Sequence, residues 1–294
     1  MEKNHKIQAK SLPFILILTL VLCLYTLILG VMIYLALSTS LKEYADFALN
    51  SVFALPEKLS FENYAKAFSA FKVRVNGNRY VYFGEMLINS IIHAVGCALA
   101  AVFVKALVAY VVAKYDEKFN KFIYMTVIIG MIVPIIGSLP SEIQIAKALG
   151  LYNTRFGMVV MRASHLGMHF LILLGTFRGL SDEYIEAAEM DGAGQWHVLF
   201  RIVLPLVKTT LFALFILNFI ACWNEYQGPL VYMGSYPTAA VGLFKYVYQP
   251  SQSGTSVETL QMAGCMLLFL PILILFLCFK NVFMGNLTVG GIKG

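Results

Sequence analysis

The stretch Ser181 to Leu206, SDEYIEAAEMDGAGQWHVLFRIVLPL, decides how the chain is read, because it is both charged and patterned and it separates two apolar runs. Tyr184, Ala187 and Ala188 fall at i, i+3 and i+4, which predicts a helix with one small apolar stripe. Ser181 suits its N-cap, with Asp182 and Glu183 in the first turn. Gly192 and Gly194 end that helix, and Trp196, Leu199, Phe200 and Val203 begin another at i, i+3, i+4 and i+7. Pro205 bends the chain into the next apolar run, so the stretch reads as helix, glycine turn, helix.

Around it lies a chain of 294 residues, 59% hydrophobic and only 13% charged. Its mean hydropathy is +0.75. Those values lie far outside the range of soluble domains and predict an all-α integral membrane protein. The net charge of +6 needs no nucleic acid to explain it, since basic loops fix membrane orientation. Five of the 16 acidic residues, Asp182, Glu183, Glu186, Glu189 and Asp191, crowd the opening helix of the quoted stretch. A helix lying on an anionic leaflet presents Lys and Arg; this one presents carboxylates, which points to a protein partner. Cys23, Cys97, Cys222, Cys265 and Cys278 all sit in or beside apolar runs without CxxC spacing. They read as small buried hydrophobes, with neither a disulfide framework nor a thiolate metal site.

Six spans are expected. A short N-terminal tail, 1–11, carries Lys3, Lys6 and Lys10 ahead of an uncharged run at 12–37, long enough to cross a bilayer as an uncleaved anchor. The polar stretch 38–82 lies outside, and 83–113 is the second span, with Lys105 within it. That lysine reads as snorkelling or pairing with another subunit ahead of a transport role. Lys114, Lys118 and Lys121 make a basic inner loop before the third span, 122–139, which holds Pro134. The fourth span covers 156–177, where His165 and His169 stand i, i+4; with no third ligand at useful spacing they read as packing or pathway groups. The quoted stretch, 181–204, is then cytoplasmic, followed by spans at 205–226 and at 259–279, the last kinked at Pro271, and a cytoplasmic tail, 280–294.

Glu186-Ala187-Ala188, Gly192 after three further residues, and Ile202-x-Leu204-Pro205 after nine more resemble the EAA loop of permease subunits of ATP-binding-cassette importers. The resemblance implies a coupling helix docking on a separate ATPase, with the two alanines allowing close approach, Glu186 as acceptor, and Asp191 beside the turning Gly192. Other segments are similar to the sugar-uptake members: Phe61-x-Asn63-Tyr64, Asn89-Ser90, Leu149-Gly150-Leu151-x-Asn153-Thr154 and Trp223-Asn224-Glu225-Tyr226. The tail Gly290-Gly291-Ile292-Lys293-Gly294 resembles that of the smaller maltose-type permease, which implies that Gly290, Gly291, Lys293 and Gly294 contact the ATPase.

The likeness implies a permease core over 83–279, a second homologous permease as heterodimer partner, two ATP-binding subunits and an extracytoplasmic solute-binding protein. It also implies a prokaryotic cytoplasmic membrane with both termini inside. Asn89, Asn218, Trp223, Asn224, Glu225 and Tyr226 are the candidate pathway residues. Aromatic faces beside amide and carboxylate groups suit a sugar, and an interfacial aromatic belt is an equal reading of the tetrad. Phe61 to Tyr64 reads either as a loop packed on span ends or as a docking element.

No Gly-x-x-x-x-Gly-Lys-Ser/Thr loop occurs, so ATP and magnesium are expected on the partner and no cofactor on this chain. The competing reading, an ion-coupled secondary transporter, calls for intramembrane carboxylates at broken helices. Glu85, Glu225 and Glu258 lie near span ends instead.

Overall fold

In the computed structural model the described residues are 2–77, 79–115, 118–133, 137–163, 166–249 and 257–287, with side chains left aside at 2–12, at 118 and at 281–287. The chain runs α1 (Glu2–Ser40), α2 (Tyr44–Leu49), α3 (Glu62–Ala70), β1 (Lys72–Val75), β2 (Arg79–Tyr82), α4 (Phe83–Lys114), α5 (Lys118–Ile132), α6 (Leu139–Ala148), α7 (Arg155–Ala163) and α8 (Gly167–Arg178). It continues with α9 (Glu183–Met190), α10 (Gln195–His197), a π-helical segment (Val198–Val203), α11 (Leu204–Leu206), α12 (Lys208–Asn224), α13 (Gln227–Tyr232), α14 (Ala239–Tyr248) and α15 (Glu258–Leu287).

The hub is α4, and its sequence explains why. Ala94, Cys97, Ala98 and Ala101 stand at i, i+3, i+4 and i+7 and are buried, so a strip of small side chains lets α7, α8 and α12 approach its backbone closely. Val159 on α7 comes within 3.1 Å of where a Cβ on Gly96 would stand. By contrast, no side chain in the apolar 28-residue span Pro13–Ser40 of α1 is buried along its most hydrophobic window, although α1 packs on α15. Apolar surface of that extent needs lipid or another subunit against it.

Among the described residues three helices, Pro13–Ser40, Phe83–Lys114 and Glu258–Lys280, are long and apolar enough to cross a membrane. Two bent pairs bring the number to as many as five when each is counted as one span. The expected fourth span is one of them: α7 and α8 meet at 58°. The other is the segment 195–206 with α12, which meet at 76°, and the break at Val207 follows Pro205. The expected third span is described only through α5, 15 residues that are shorter than the roughly 20 a bilayer needs, and its Pro134 lies outside the described residues. α15 runs unbroken through Pro271.

The polar stretch 38–82 is folded rather than loose. Lys72–Val75 and Arg79–Tyr82 form an antiparallel hairpin with Val73 opposite Val81. Phe71, Val73, Val81 and Phe83 are packed with Tyr246 of α14. Asn63 Nδ2 donates to the carbonyls of Ser40 (2.9 Å) and Lys42 (2.7 Å), and Tyr64 OH meets Ser40 Oγ at 2.7 Å. The Phe61 to Tyr64 motif therefore closes the loop onto the end of α1.

Candidate functional site

The glycine turn forms as the sequence implies. Gly192 has φ of +79°, Ala193 N–H donates to Ala188 O at 2.9 Å, and Gly192 N–H donates to Glu189 O at 3.0 Å. This pairing is the Schellman closure of a helix, and it requires a residue that tolerates the left-handed region. The start differs from expectation: α9 begins at Glu183, and Asp182 holds the N-cap position without a side-chain capping bond. Ser181 Oγ instead accepts from Glu183 N–H at 3.3 Å.

The small stripe is split between inside and outside. Ala188 is 8% exposed and packs with Phe177, Val198, Leu199 and Val203, whereas Tyr184 and Ala187 are exposed. Glu183, Glu186, Ala187 and Met190, at i, i+3, i+4 and i+7, form an outward face, and Met190 is 84% exposed. Trp196 and Phe200 are exposed and stack on each other at 6.0 Å, while Ile202 and Leu204 are half-buried and Asp191, Gly192 and Pro205 lie at the surface. This segment hangs on the end of α4. Lys114, its side chain 6% exposed, donates from Nζ to Leu180 O and to Asp182 Oδ1, both at 2.6 Å.

The pathway candidates are dispersed. Asn89 is buried: its Nδ2 donates to Pro237 O at 3.1 Å, and its Oδ1 accepts from Arg155 at 2.7 Å. Trp223, 3% exposed, donates its indole N–H to Leu268 O at 3.0 Å, so its ring is core and not belt. Asn224 is exposed and bonds back to Ile220 O, and Tyr226 stacks on Phe244 at 4.5 Å.

Glu225 and Asn218 do reach open space, in different cavities. A cavity of about 530 Å³ is lined by Ser138, Glu142, Arg162, Glu225, Gln227 and Tyr232 among others. A second, of about 280 Å³, is lined by Lys105, His169, Asn218 and Arg162 among others. Arg162 belongs to both, and its guanidinium lies 3.0 Å from Glu225 Oε2. Lys105 is 5% exposed and sits inside the fold instead of reaching the helix end. Asn218 Nδ2 meets His169 Nδ1 at 3.0 Å; His165, and with it the i, i+4 pair, lies outside the described residues. So do Gly290, Gly291, Lys293 and Gly294.

Arg162, Glu142 and Tyr232 escape the sequence reading. The signal for Arg162 is an arginine within an apolar run expected to span the bilayer. Glu142 follows the α5 region in sequence, and only folding brings it against α13. Its carboxylate accepts from Ser138 Oγ at 2.5 Å and from Tyr232 OH at 2.8 Å, and these bonds hold its pKa below the ordinary value. Burial, aided by that carboxylate, pushes the Tyr232 phenol up to about 12.

The Leu149 to Thr154 motif has a structural explanation. Gly150 and Asn153 adopt φ of +68° and +58°, Asn153 N–H donates to Tyr232 O at 2.9 Å, and Thr154 Oγ1 accepts from Gly157 N–H at 2.9 Å as a helix cap. It fastens α6, α7 and α13 around the larger cavity.

A bundle of long and broken apolar helices around polar cavities, with an acidic hairpin at one end, defines a membrane transport component. Residues 85–287 match the family described as binding-protein-dependent transport system inner membrane component, and the chain belongs to that family. It is therefore a multi-pass membrane protein and a permease subunit of an import system. It is 27% identical over 271 residues to the diacetylchitobiose uptake system permease protein NgcG of Streptomyces coelicolor, covering 92% of this chain and 86% of that one. It is also 27% identical over 270 residues to the melibiose/raffinose/stachyose import permease protein MelC of Bacillus subtilis, covering 89% and 90%. Its fold resembles a chain of a bacterial ABC transporter involved in import of the acidic polysaccharide alginate, with a TM-score of 0.76, 20% identity, and coverage of 92% of this chain and 97% of that chain.

Proposed function

We propose that this permease carries a sugar, oligosaccharide or glycoside, and that a separate cytoplasmic ATPase drives it through the exposed face of α9. The observation that carries the reading is one face of one helix. Glu183, Glu186, Ala187 and Met190 point away from the bundle, while Lys114 and the packed Ala188 fix the helix to it. An acidic face with a small residue and an apolar one suits close docking into a basic-rimmed cleft. Motion of a docked partner would pass through the buried contacts of Ala188, Val198 and Leu199 into α8 and α12 as rigid-body movement. In this reading the chain has six spans, α5 belongs to the third, and both termini and α9 face the cytoplasm. A second homologous permease completes the pathway and covers the apolar surface of α1 or its neighbours. An external binding protein delivers the cargo.

A carbohydrate cargo is supported by the substrates for which the two similar permeases are named and by the larger cavity. Its volume falls within the roughly 300–1,000 Å³ of small-molecule sites, and it combines carboxylate, guanidinium, amide and hydroxyl groups with Met and Leu surface. The test is uptake in proteoliposomes holding this chain with its partner permease, ATPase and binding protein. ATP-dependent accumulation of a labelled oligosaccharide is expected. Uptake driven by an ion gradient with the ATPase omitted would support the secondary-transporter reading instead.

A further inference from the structure

His93 and Cys97 lie one turn apart on α4, and Cys222 faces them from α12. All three are buried, and a ligand atom from each lies within 4.8 Å of the other two. Among the described residues this is the one group of three His, Cys, Asp or Glu side chains so arranged. His93 Nδ1 stands 3.5 Å from Cys97 Sγ. Nitrogen and sulfur ligands of one tetrahedral zinc, at bond lengths near 2.1 and 2.3 Å, are about 3.6 Å apart, so this separation is already that of two ligands on one ion.

A hydrogen bond gives a similar separation, but a second thiol converges on the same point from another helix, and His93, Cys97 and Cys222 are all at most 3% exposed.

Charge and softness select the ion. Two thiolates and a neutral imidazole around a divalent cation sum to zero, and the nearby Arg162–Glu225 pair is also neutral, so occupation adds no net charge to a low-dielectric interior. The donor set holds no carboxylate, which disfavours magnesium and calcium; thiolate with imidazole suits zinc. We propose that His93, Cys97 and Cys222 form a zinc site that clamps α4 to α12 beside the transport cavities. Binding converts both thiols to thiolates, and the two protons leave to solvent as two sulfur–metal bonds and one nitrogen–metal bond form.

The purified transporter complex is titrated with zinc, and then with cobalt as an optical stand-in. The expected result is about one zinc per copy of this chain and a thiolate-to-cobalt charge-transfer band in the near ultraviolet. The band disappears in Cys97→Ser and in Cys222→Ser, and it shifts in His93→Gln. Because the wild-type titration needs no variant, misfolding of a mutant leaves the test intact. No band in the wild-type complex, a band that survives both cysteine substitutions, or a Cys97–Cys222 disulfide in protein purified without oxidant would each overturn the proposal.

Discussion

Arg162 on α7 and Glu225 at the end of α12 form an ion pair of 3.0 Å at the wall of the larger cavity, and Arg162 also lines the smaller one. The pair is partly open, with side-chain exposures of 40% and 20%, so its strength lies between that of a surface pair and a buried one. Removing one partner leaves a charge among apolar helices. Arg162→Met is expected to cost about 1–3 kcal/mol of stability and to lower oligosaccharide uptake at least about tenfold. The double variant Arg162→Met, Glu225→Gln should regain stability without regaining uptake. Uptake kinetics equal to wild type in Arg162→Met would separate this pair from transport, and thermal melting in detergent reports the stability arm.

Lys114 is the anchor of the acidic hairpin, through Leu180 O and Asp182 Oδ1. Its side chain is buried while Asp182 is largely exposed, so the bond to the carbonyl matters more than the bond to the carboxylate. Lys114→Met is expected to loosen the 179–194 segment by about 1–3 kcal/mol, and Asp182→Asn by under about 1. Hydrogen exchange of that segment checks the order, which reverses if the ion pair is the main tether.

At Gly192 the backbone demands φ of +79°. Proline, locked near −65°, is incompatible with it, and a β-branched residue costs about 1–2 kcal/mol. Gly192→Pro and Glu186→Lys are therefore expected to abolish ATP-driven uptake while the protein still inserts in the membrane. One reshapes the docking turn and the other reverses charge on its face. Membrane fractionation with an uptake assay distinguishes lost coupling from lost protein.

Packing gives a prediction independent of function. A Cβ on Gly264 would lie 2.2 Å from the ring of Phe71, which is itself held by Phe83 and Tyr246 at centroid distances of 5.2 and 4.5 Å. The ring has nowhere to retreat, so Gly264→Ala should destabilise by about 1–3 kcal/mol. Gly175→Ala, where no atom lies within 4 Å of the added carbon, should be close to neutral by the same melting assay.

The Glu142 clamp carries a pH dependence. Hydrogen bonds from Ser138 and Tyr232 lower the carboxylate's pKa in the folded state. A depressed folded value means the stabilisation is complete above the unfolded glutamate value of about 4.3 and is lost as pH falls through the folded one. Contact between α6 and α13 is thus constant near neutrality and weakens only in strong acid. In Glu142→Gln this acid-dependent step should be missing from hydrogen exchange of 139–153.

The long helices and the glycine turn were legible because each rests on local information: the long apolar runs behind α1, α4 and α15, and Gly192 after an alanine-rich turn. The bends were not. Hydropathy reads 156–177 as one run, whereas α7 and α8 meet at an angle with Gly167 at φ of +58°, a feature set by packing on α4. The chemistry of the interior was hidden by sequence distance. Cys97 and Cys222 read as two isolated small hydrophobes, and only the apposition of α4 and α12 brings them together with His93. The sequence neighbours of Trp223 suit a pathway or a belt, yet its ring is packed in the core against Phe219 and its N–H is taken by α15.

The central claim is that the outward face of α9 lies in the cytoplasm against an ATPase. Cysteine placed at Ala187, in a chain whose native cysteines outside the cavity cluster are replaced, tests it in inside-out and right-side-out vesicles. The account predicts labelling by an impermeant thiol reagent only in inside-out vesicles, protection when the ATPase is bound, and a cross-link to that subunit. Labelling from the external side, or labelling that the ATPase does not change, would contradict it.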